Sequence, residues 1–325
     1  VPHTDLPLAE LRVFRPDIPE PAEFDAFWAA TLAESRALAS DPVLDVVAGP
    51  FTELTVTDLT FSGFGGEPVR AWITRPHGDE PRPAVVEYVG YGGGRGLPGE
   101  RLTWAAAGFV HVLMDTRGQG SAWGSGGVTP DPHGTGPAFP GVMTRGIESP
   151  ETYYYRRLFT DAVLLLDVVA ALPFVDPARV AVTGGSQGGA ITLAAAALSA
   201  VPAAAMPDVP FLCHIRRSVE LTPLAPFTEV ARYLAVHRDR VEQVFETLSY
   251  IDGATFARRL RVPALFSVGL MDEIVLPSTV FAAYNLCSSA DRDITVYEFN
   301  GHEGGELHNW YRQHAWLTQR FGSPV

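Results

Sequence analysis

Cysteine is nearly absent from this chain of 325 residues, which holds only Cys213 and Cys287. Two thiols are too few for a disulfide framework or a cysteine-based zinc site, so both read as buried or half-buried side chains. Lysine is missing altogether, and all 24 cationic residues are arginine. That reads as a compositional bias of the coding sequence and not as chemistry. Positive charge is in deficit too: 37 acidic residues leave a formal net charge of −13. Nucleic acids and anionic membranes demand a basic face, so neither is an expected partner. No apolar run approaches the length of a membrane span. Val1 to Asp5 shows no basic stretch leading into an apolar one, and the expected location is the cytoplasm. Internal repeats and low-complexity segments are lacking as well, which argues against a solenoid or a propeller.

What is present points to a large packed core. Hydrophobic residues make up 46% of the chain, and α/β domains reach this length when they carry insertions. The expected organisation is one domain over residues 1–325, with an N-terminal extension over 1–50 and an inserted, cap-like segment over 207–261. Pro21 suits a first helical turn, and Phe24, Phe27, Trp28 and Leu32 recur at helical spacing, which predicts an aromatic face packed on the domain body. Strands are expected at Leu54–Phe61 and Val69–Thr74, joined as a hairpin through Gly63-Phe64-Gly65-Gly66. Further strands are expected at Ala84–Val89, Val110–Met114, Val180–Thr183, Ala264–Val268 and Ile294–Phe299. Helices are expected at Tyr154–Leu172, Ile191–Ala200, Ser278–Leu286 and Leu307–Arg320. This alternation predicts a mostly parallel central sheet with helices on both faces and an antiparallel start. Gly118 to Ser149, rich in Gly, Pro and Thr, reads as an irregular excursion near the site.

The strand Val180–Thr183 runs into Gly184-Gly185-Ser186-Gln187-Gly188-Gly189, and a helical pattern follows at once. This is the setting of a nucleophile elbow, where a serine is held on a strained strand-to-helix turn above an α/β-hydrolase sheet. A dinucleotide-binding turn needs a different glycine spacing, at the start of a βαβ unit, with an acidic residue some twenty positions on. In a hydrolase of this kind the partners of the serine follow in the order acid, then histidine. The strand ending at Val268 leads to Asp272 and Glu273, and the strand ending at Phe299 leads to His302 and Glu303. Of nine histidines, only His302 sits on a loop directly after the last strand. His3, His77, His111, His133, His214, His237, His308 and His314 fall at the terminus, in turns, in a strand, in the inserted segment or on the last helix. Asp272 is the expected acid, with Glu273 and Glu303 as neighbours able to compete for the role. Asp115, after another strand, reads as structural and as a partner for Arg117. An oxyanion hole needs two backbone donors: the N–H after the nucleophile, Gln187, and one from the loop after an early strand. The loop Gly90-Tyr91-Gly92-Gly93 offers the N–H of Tyr91.

Longer segments add specificity. Asp115-Thr116-Arg117-Gly118-Gln119-Gly120-Ser121, Met143-Thr144-Arg145-Gly146-Ile147, Tyr153-Tyr154-Tyr155-Arg156, Gly185-Ser186-Gln187-Gly188-Gly189 and Pro277 to Asn285 stand out. With Phe27-Trp28, Thr60 to Gly66 and Gly90 to Gly93, they make the chain resemble, over nearly its whole length, the acetyl xylan esterases and cephalosporin C deacetylases of carbohydrate esterase family seven. The resemblance implies an α/β-hydrolase fold, Ser186, Asp272 and His302 as the triad, and Tyr91 and Gln187 as oxyanion donors. It further implies removal of acetyl groups from short xylo-oligosaccharides and from cephalosporin C, with no metal or other cofactor. Assembly into hexamers, with active sites facing an interior space, is implied by the resemblance alone. The chain departs from the family spelling in two places: at Val275-Leu276 before Pro277, and at Ser149 where Asp is common. Both bear on substrate preference. A serine peptidase of the prolyl-oligopeptidase kind would share the triad order, but the stretch before Ala84 is too short for its propeller. A hydrolase-fold binding protein without catalysis is the third reading.

Overall fold

The alternating pattern is realised as one nine-stranded sheet. The computed structural model of the protein describes residues 5–134 and 136–324; Val1 to Thr4, His3 among them, lie outside the described residues. The strands are β1 (Val43–Val46), β2 (Leu54–Ser62), β3 (Pro68–Pro76), β4 (Arg82–Tyr88), β5 (Val110–Met114), β6 (Val175–Gly185), β7 (Ala204–Asp208), β8 (Ala264–Gly269) and β9 (Arg292–Tyr297). They lie in the order β1-β2-β3-β5-β4-β6-β7-β8-β9. Pairings from β1 to β3 and from β3 to β5 are antiparallel. From β5 to β9 every pairing is parallel. The short helices α1 (Leu8–Leu11) and α3 (Thr103–Ala106) and the longer α2 (Phe24–Ala37), α4 (Tyr154–Ala170) and α5 (Gln187–Leu198) precede β7. Between β7 and β8 come α6 (Ile215–Leu221), α7 (Phe227–Val236), α8 (Val241–Ser249) and α9 (Gly253–Ala257); α10 (Pro277–Leu286) and α11 (Glu306–Phe321) follow.

Alternation of side chains along the strands explains why runs such as Ala84–Val86 are apolar throughout. Ala84, Val86, Val180, Val182 and Phe266 face a large core shared with α2, α4, α5, α9 and α10. Val85, Ala181, Met206 and Leu265 face the other side, closed by Trp104 of α3 and Leu317 of α11. The aromatic stripe of α2 packs inward: Trp28 is buried against the rings of Phe159 and Phe256, and its indole N–H donates to the carbonyl of Tyr250 at 3.0 Å. Among the described residues, no helix is long and apolar enough to cross a membrane.

Several boundaries differ from the sequence expectation, each for a local reason. The strand β1 is an edge of four residues, Val43-Leu44-Asp45-Val46, exposed throughout, and it is too short and too uniformly apolar to show an alternation. The strand β7 is spelled Ala204-Ala205-Met206-Pro207-Asp208, with little β-branched character. Its proline, opposite Gly184 of β6, brings no N–H to the ladder, and in a sequence it argues against an interior strand. The helical segment expected from Pro207 therefore opens at Val209. Helix α5 starts at Gln187, four residues before the expected Ile191, because Gly188 and Gly189 are helical here despite their poor propensity. The strand β9 ends at Tyr297, which leaves a longer loop to carry His302.

Candidate active site

Ser186 stands between β6 and α5 with φ 57° and ψ −116°, a left-handed conformation that is costly for a residue with a side chain. The turn around it is closed by hydrogen bonds from Ser186 N–H to the carbonyl of Asp208 (3.0 Å) and from Phe211 N–H to the carbonyl of Ser186 (3.0 Å). The flanking glycines permit the packing. A Cβ on Gly188 would fall 2.1 Å from the carbonyl oxygen of Tyr88, and one on Gly184 would fall 2.6 Å from the backbone of Gly188.

His302 lies on the loop between β9 and α11, and its Nδ1 is 2.8 Å from Oδ2 of Asp272. Asp272 is fully buried after β8, and its Oδ1 accepts the N–H groups of Ile274 and Val275, each at 2.9 Å. An ionised carboxylate only accepts hydrogen bonds, so Nδ1 carries the proton and Nε2 is left for a hydroxyl in the cavity. Glu303 instead braces the loop, accepting from the Asn300 side-chain amide (2.7 Å) and the Gly301 N–H (3.0 Å). The Asn300 contact, ahead of the loop's backbone N–H groups, lowers its pKa.

The expected oxyanion donors come from two backbone segments. Gln187 opens α5, so its N–H is among those a helix leaves without an internal partner. Tyr91 is the second residue of a turn closed by Gly93 N–H to Gly90 carbonyl at 3.1 Å, with Gly92 at φ +82°. Ser186, His302, Gly90 and Tyr91 line one cavity of about 510 Å³, together with Arg101, Trp123, Asp208, Val209, Ala225, Pro226, Ile274 and Glu306. Arg101 is ion-paired to Glu87, which also accepts from His111 Nε2 at 2.8 Å. Burial alone would raise the Glu87 carboxyl, but Arg101 and His111 outweigh it and hold the pKa down at about 2. Among the described residues, no group of three or more His, Cys, Asp or Glu side chains could hold a metal ion.

With this geometry in place, comparison with known proteins is decisive about kinship. The sequence profile of the acetyl xylan esterase (AXE1) family matches residues 1–320. The chain belongs to the acetyl xylan esterase family. The acetyl xylan esterase from Paenibacillus sp. R4 superposes with a TM-score of 0.91 at 36% identity, over 97% of this chain and 99% of that one. Acetyl xylan esterase 1 from Thermoanaerobacterium sp. JW/SL YS485 gives 0.87 at 34% identity, over 96% and 99%. The acetyl esterase Axe7A of Xylanibacter ruminicola is 25% identical over 331 residues, covering 95% of this chain and 69% of its own. The fold shared with these neighbours is that of the α/β-hydrolases.

Other parts of this acetyl xylan esterase family member were not legible as site residues. Gln119 joins the Tyr91 turn to the start of α5: its Oε1 accepts the Gly92 N–H (2.6 Å), and its Nε2 donates to Oε1 of Gln187 and to the Tyr154 hydroxyl, both at 2.9 Å. Tyr155 donates to the same Gln187 oxygen at 2.9 Å, and Gln187 Nε2 donates to the Val89 carbonyl at 3.2 Å. Trp123, deep in the Gly/Pro excursion, donates its indole N–H to the Tyr91 carbonyl at 2.7 Å. The expected pairing of Asp115 with Arg117 is not made. Asp115 instead accepts the N–H groups of Arg95, Thr116, Val128 and Thr129, while Arg117 pairs with Asp161, Glu67 and Asp131. The spelling Arg-Gly-Gln-Gly carried a signal for Gln119; no local pattern marks Trp123.

Proposed function

We propose that the protein is a serine esterase that removes acetyl groups from acetylated xylo-oligosaccharides and from cephalosporin C-type esters. One observation carries the reading. A serine on a strained strand-to-helix turn and a histidine bonded through Nδ1 to a buried carboxylate face the same cavity. A hydroxyl is a weak nucleophile until a base takes its proton. In the proposed mechanism His302 accepts the Ser186 proton as Oγ attacks the acetyl carbonyl. Asp272 orients the imidazole and stabilises its charged form. The N–H groups of Gln187 and Tyr91 receive the negative charge that develops on the carbonyl oxygen. His302 returns the proton to the departing alcohol, and water then hydrolyses the acetyl-enzyme by the same route.

The names of the relatives support acetyl as the acyl group and xylan as the alcohol side. The resemblance to cephalosporin C deacetylases supports the second substrate class. Val209, Ala225, Pro226 and Ile274 give the cavity an apolar portion suited to a small acyl chain. The test is Ser186→Ala assayed on p-nitrophenyl acetate: removing the nucleophile is expected to lower kcat by about four orders of magnitude or more, and near-normal turnover overturns the reading. A panel of acetyl, propionyl and butyryl esters beside acetylated xylo-oligosaccharides and cephalosporin C then fixes the substrate class. A steep fall beyond acetyl is the expected result. A hexameric assembly belongs to the same proposal, and a monomer in sedimentation removes it.

A further inference from the structure

We propose that Glu229 is a positioning residue for the oxyanion site, reaching Ser186 chemistry only through Tyr91; the inference rests on the serine esterase reading above. Glu229 lies on α7, in the helical segment between β7 and β8, and is buried. Among the described residues no arginine or histidine forms an ion pair with it. Its Oε1 instead accepts the Tyr91 hydroxyl at 2.7 Å, and its Oε2 accepts the Met143 N–H at 3.1 Å. The Tyr91 oxygen in turn accepts the Val142 N–H at 2.7 Å.

Donor arithmetic explains a buried carboxylate in this place. Met143 brings one N–H, and the Tyr91 hydroxyl, already accepting from Val142, brings its own O–H. The joint therefore requires two acceptors and no donor, which among side chains only an ionised Asp or Glu supplies. Side-chain contacts thus hold Tyr91 and its turn at several points: Glu229, with the Val142 N–H, holds the hydroxyl, Trp123 holds the carbonyl, and Gln119 holds the next N–H. The Glu229 hydrogen bond ties the turn to α7, and Ala225 and Pro226 just before that helix line the cavity. A donor N–H that stabilises charge must be held in place before the charge forms, so a loosened Tyr91 turn costs turnover and not ground-state binding.

Glu229→Gln keeps the volume but sets an NH₂ group against a donor. It is expected to lower kcat on p-nitrophenyl acetate about ten-fold, with KM within about two-fold, as for partial loss of one oxyanion donor. The rate of fluorophosphonate labelling at Ser186 is expected to fall by the same factor, because that adduct also places an oxygen on the two N–H groups. Tyr91→Phe breaks the joint from the other side and is expected to match it. The double variant is expected to be no worse than the weaker single variant, since both remove one coupled contact. Thermal melts establish that each variant is folded, and Tyr91→Phe alone carries the test where Glu229→Gln is not. Unchanged kcat in a folded variant, a loss confined to KM, or additive losses in the double variant overturn the inference and leave the esterase reading intact. A wild-type protein that fluorophosphonate fails to label overturns both.

Discussion

Asp208 closes β7 beside the β6–α5 turn, where its carbonyl accepts the Ser186 N–H. Its carboxyl group is surrounded by neutral donors: Asn309 (2.6 Å), Gln313 (2.9 Å to each oxygen) and Ser267 (3.1 Å). Burial is the strongest influence and pushes its pKa up to about 7. The Ser267, Gln313 and Asn309 contacts pull it down, and the negative charge of Glu87 adds to the rise. The folded state therefore binds this proton more tightly than the unfolded chain does. Its contribution to stability is complete below the ordinary carboxylate range, is lost as pH rises toward 7, and is absent above it. The difference in unfolding free energy between wild type and Asp208→Asn should then shrink, or change sign, by a few kcal/mol between pH 4 and pH 8. Urea titrations at those two pH values measure it; a difference that does not vary with pH refutes the buried, titrating carboxyl. Nothing local marks Asp208 in the sequence. It follows a proline at the end of an alanine-rich strand, and its partners Asn309 and Gln313 lie about a hundred residues away.

At the scale of the element, the β6–α5 turn separates glycines that cannot be replaced from one that can. Gly188 packs against the backbone of Tyr88 at the end of β4, which is paired to β6 through Tyr88 and Gly184. A methyl group there meets a carbonyl fixed in the sheet, so neither side can yield. Gly188→Ala is expected to destabilise the protein by at least about 1–3 kcal/mol, the range for overpacking a tight site, and to abolish esterase activity. At Gly185 an added Cβ meets nothing within 4 Å. Gly185→Ala should change stability by no more than about 0.5 kcal/mol. Equal unfolding midpoints for the two variants refute the distinction. The motif was legible because the same physics writes both pattern and structure: a β-branched strand, glycines where backbones touch, then an alanine-rich helix. The contact between Asp272 and His302 follows from a related pattern, since both residues stand on loops that leave the same ends of neighbouring parallel strands. Tyr153, Tyr154 and Tyr155 were readable only as part of a resemblance, because their hydrogen bonds to Met143, Arg117 and Gln187 exist only once α4 packs under the turn.

Across the whole molecule, a buried ionic cluster joins segments that the chain keeps far apart. Arg117, fully buried after β5, forms a two-point contact with Asp161 of α4 (2.6 and 2.8 Å) and also reaches Glu67 in the β2–β3 turn at 2.6 Å. Asp161 accepts the Phe64 N–H of that same turn at 2.8 Å, and the Arg117 carbonyl accepts the Tyr154 hydroxyl at 2.5 Å. Through Tyr154 and Gln119 the cluster continues to the Tyr91 turn and to Gln187 at the start of α5. The antiparallel start of the sheet is thereby fastened to the α4 layer behind the site. Desolvating so many charges makes such a cluster weakly stabilising as a whole, yet removing one partner strands another without compensation. Arg117→Met leaves Asp161 buried with no cation, and is expected to cost about 3–5 kcal/mol. Arg145 approaches Asp131 of the same cluster at 3.2 Å but is partly exposed, and Asp131 keeps its two-point contact with Arg157 at 2.8 and 2.9 Å. Arg145→Met should therefore cost at most about 1 kcal/mol. Denaturant unfolding of the two variants gives the comparison directly. If Arg117→Met is as mild as Arg145→Met, the cluster does not hold the sheet to α4, and the packing of Tyr153 to Phe159 carries that joint instead.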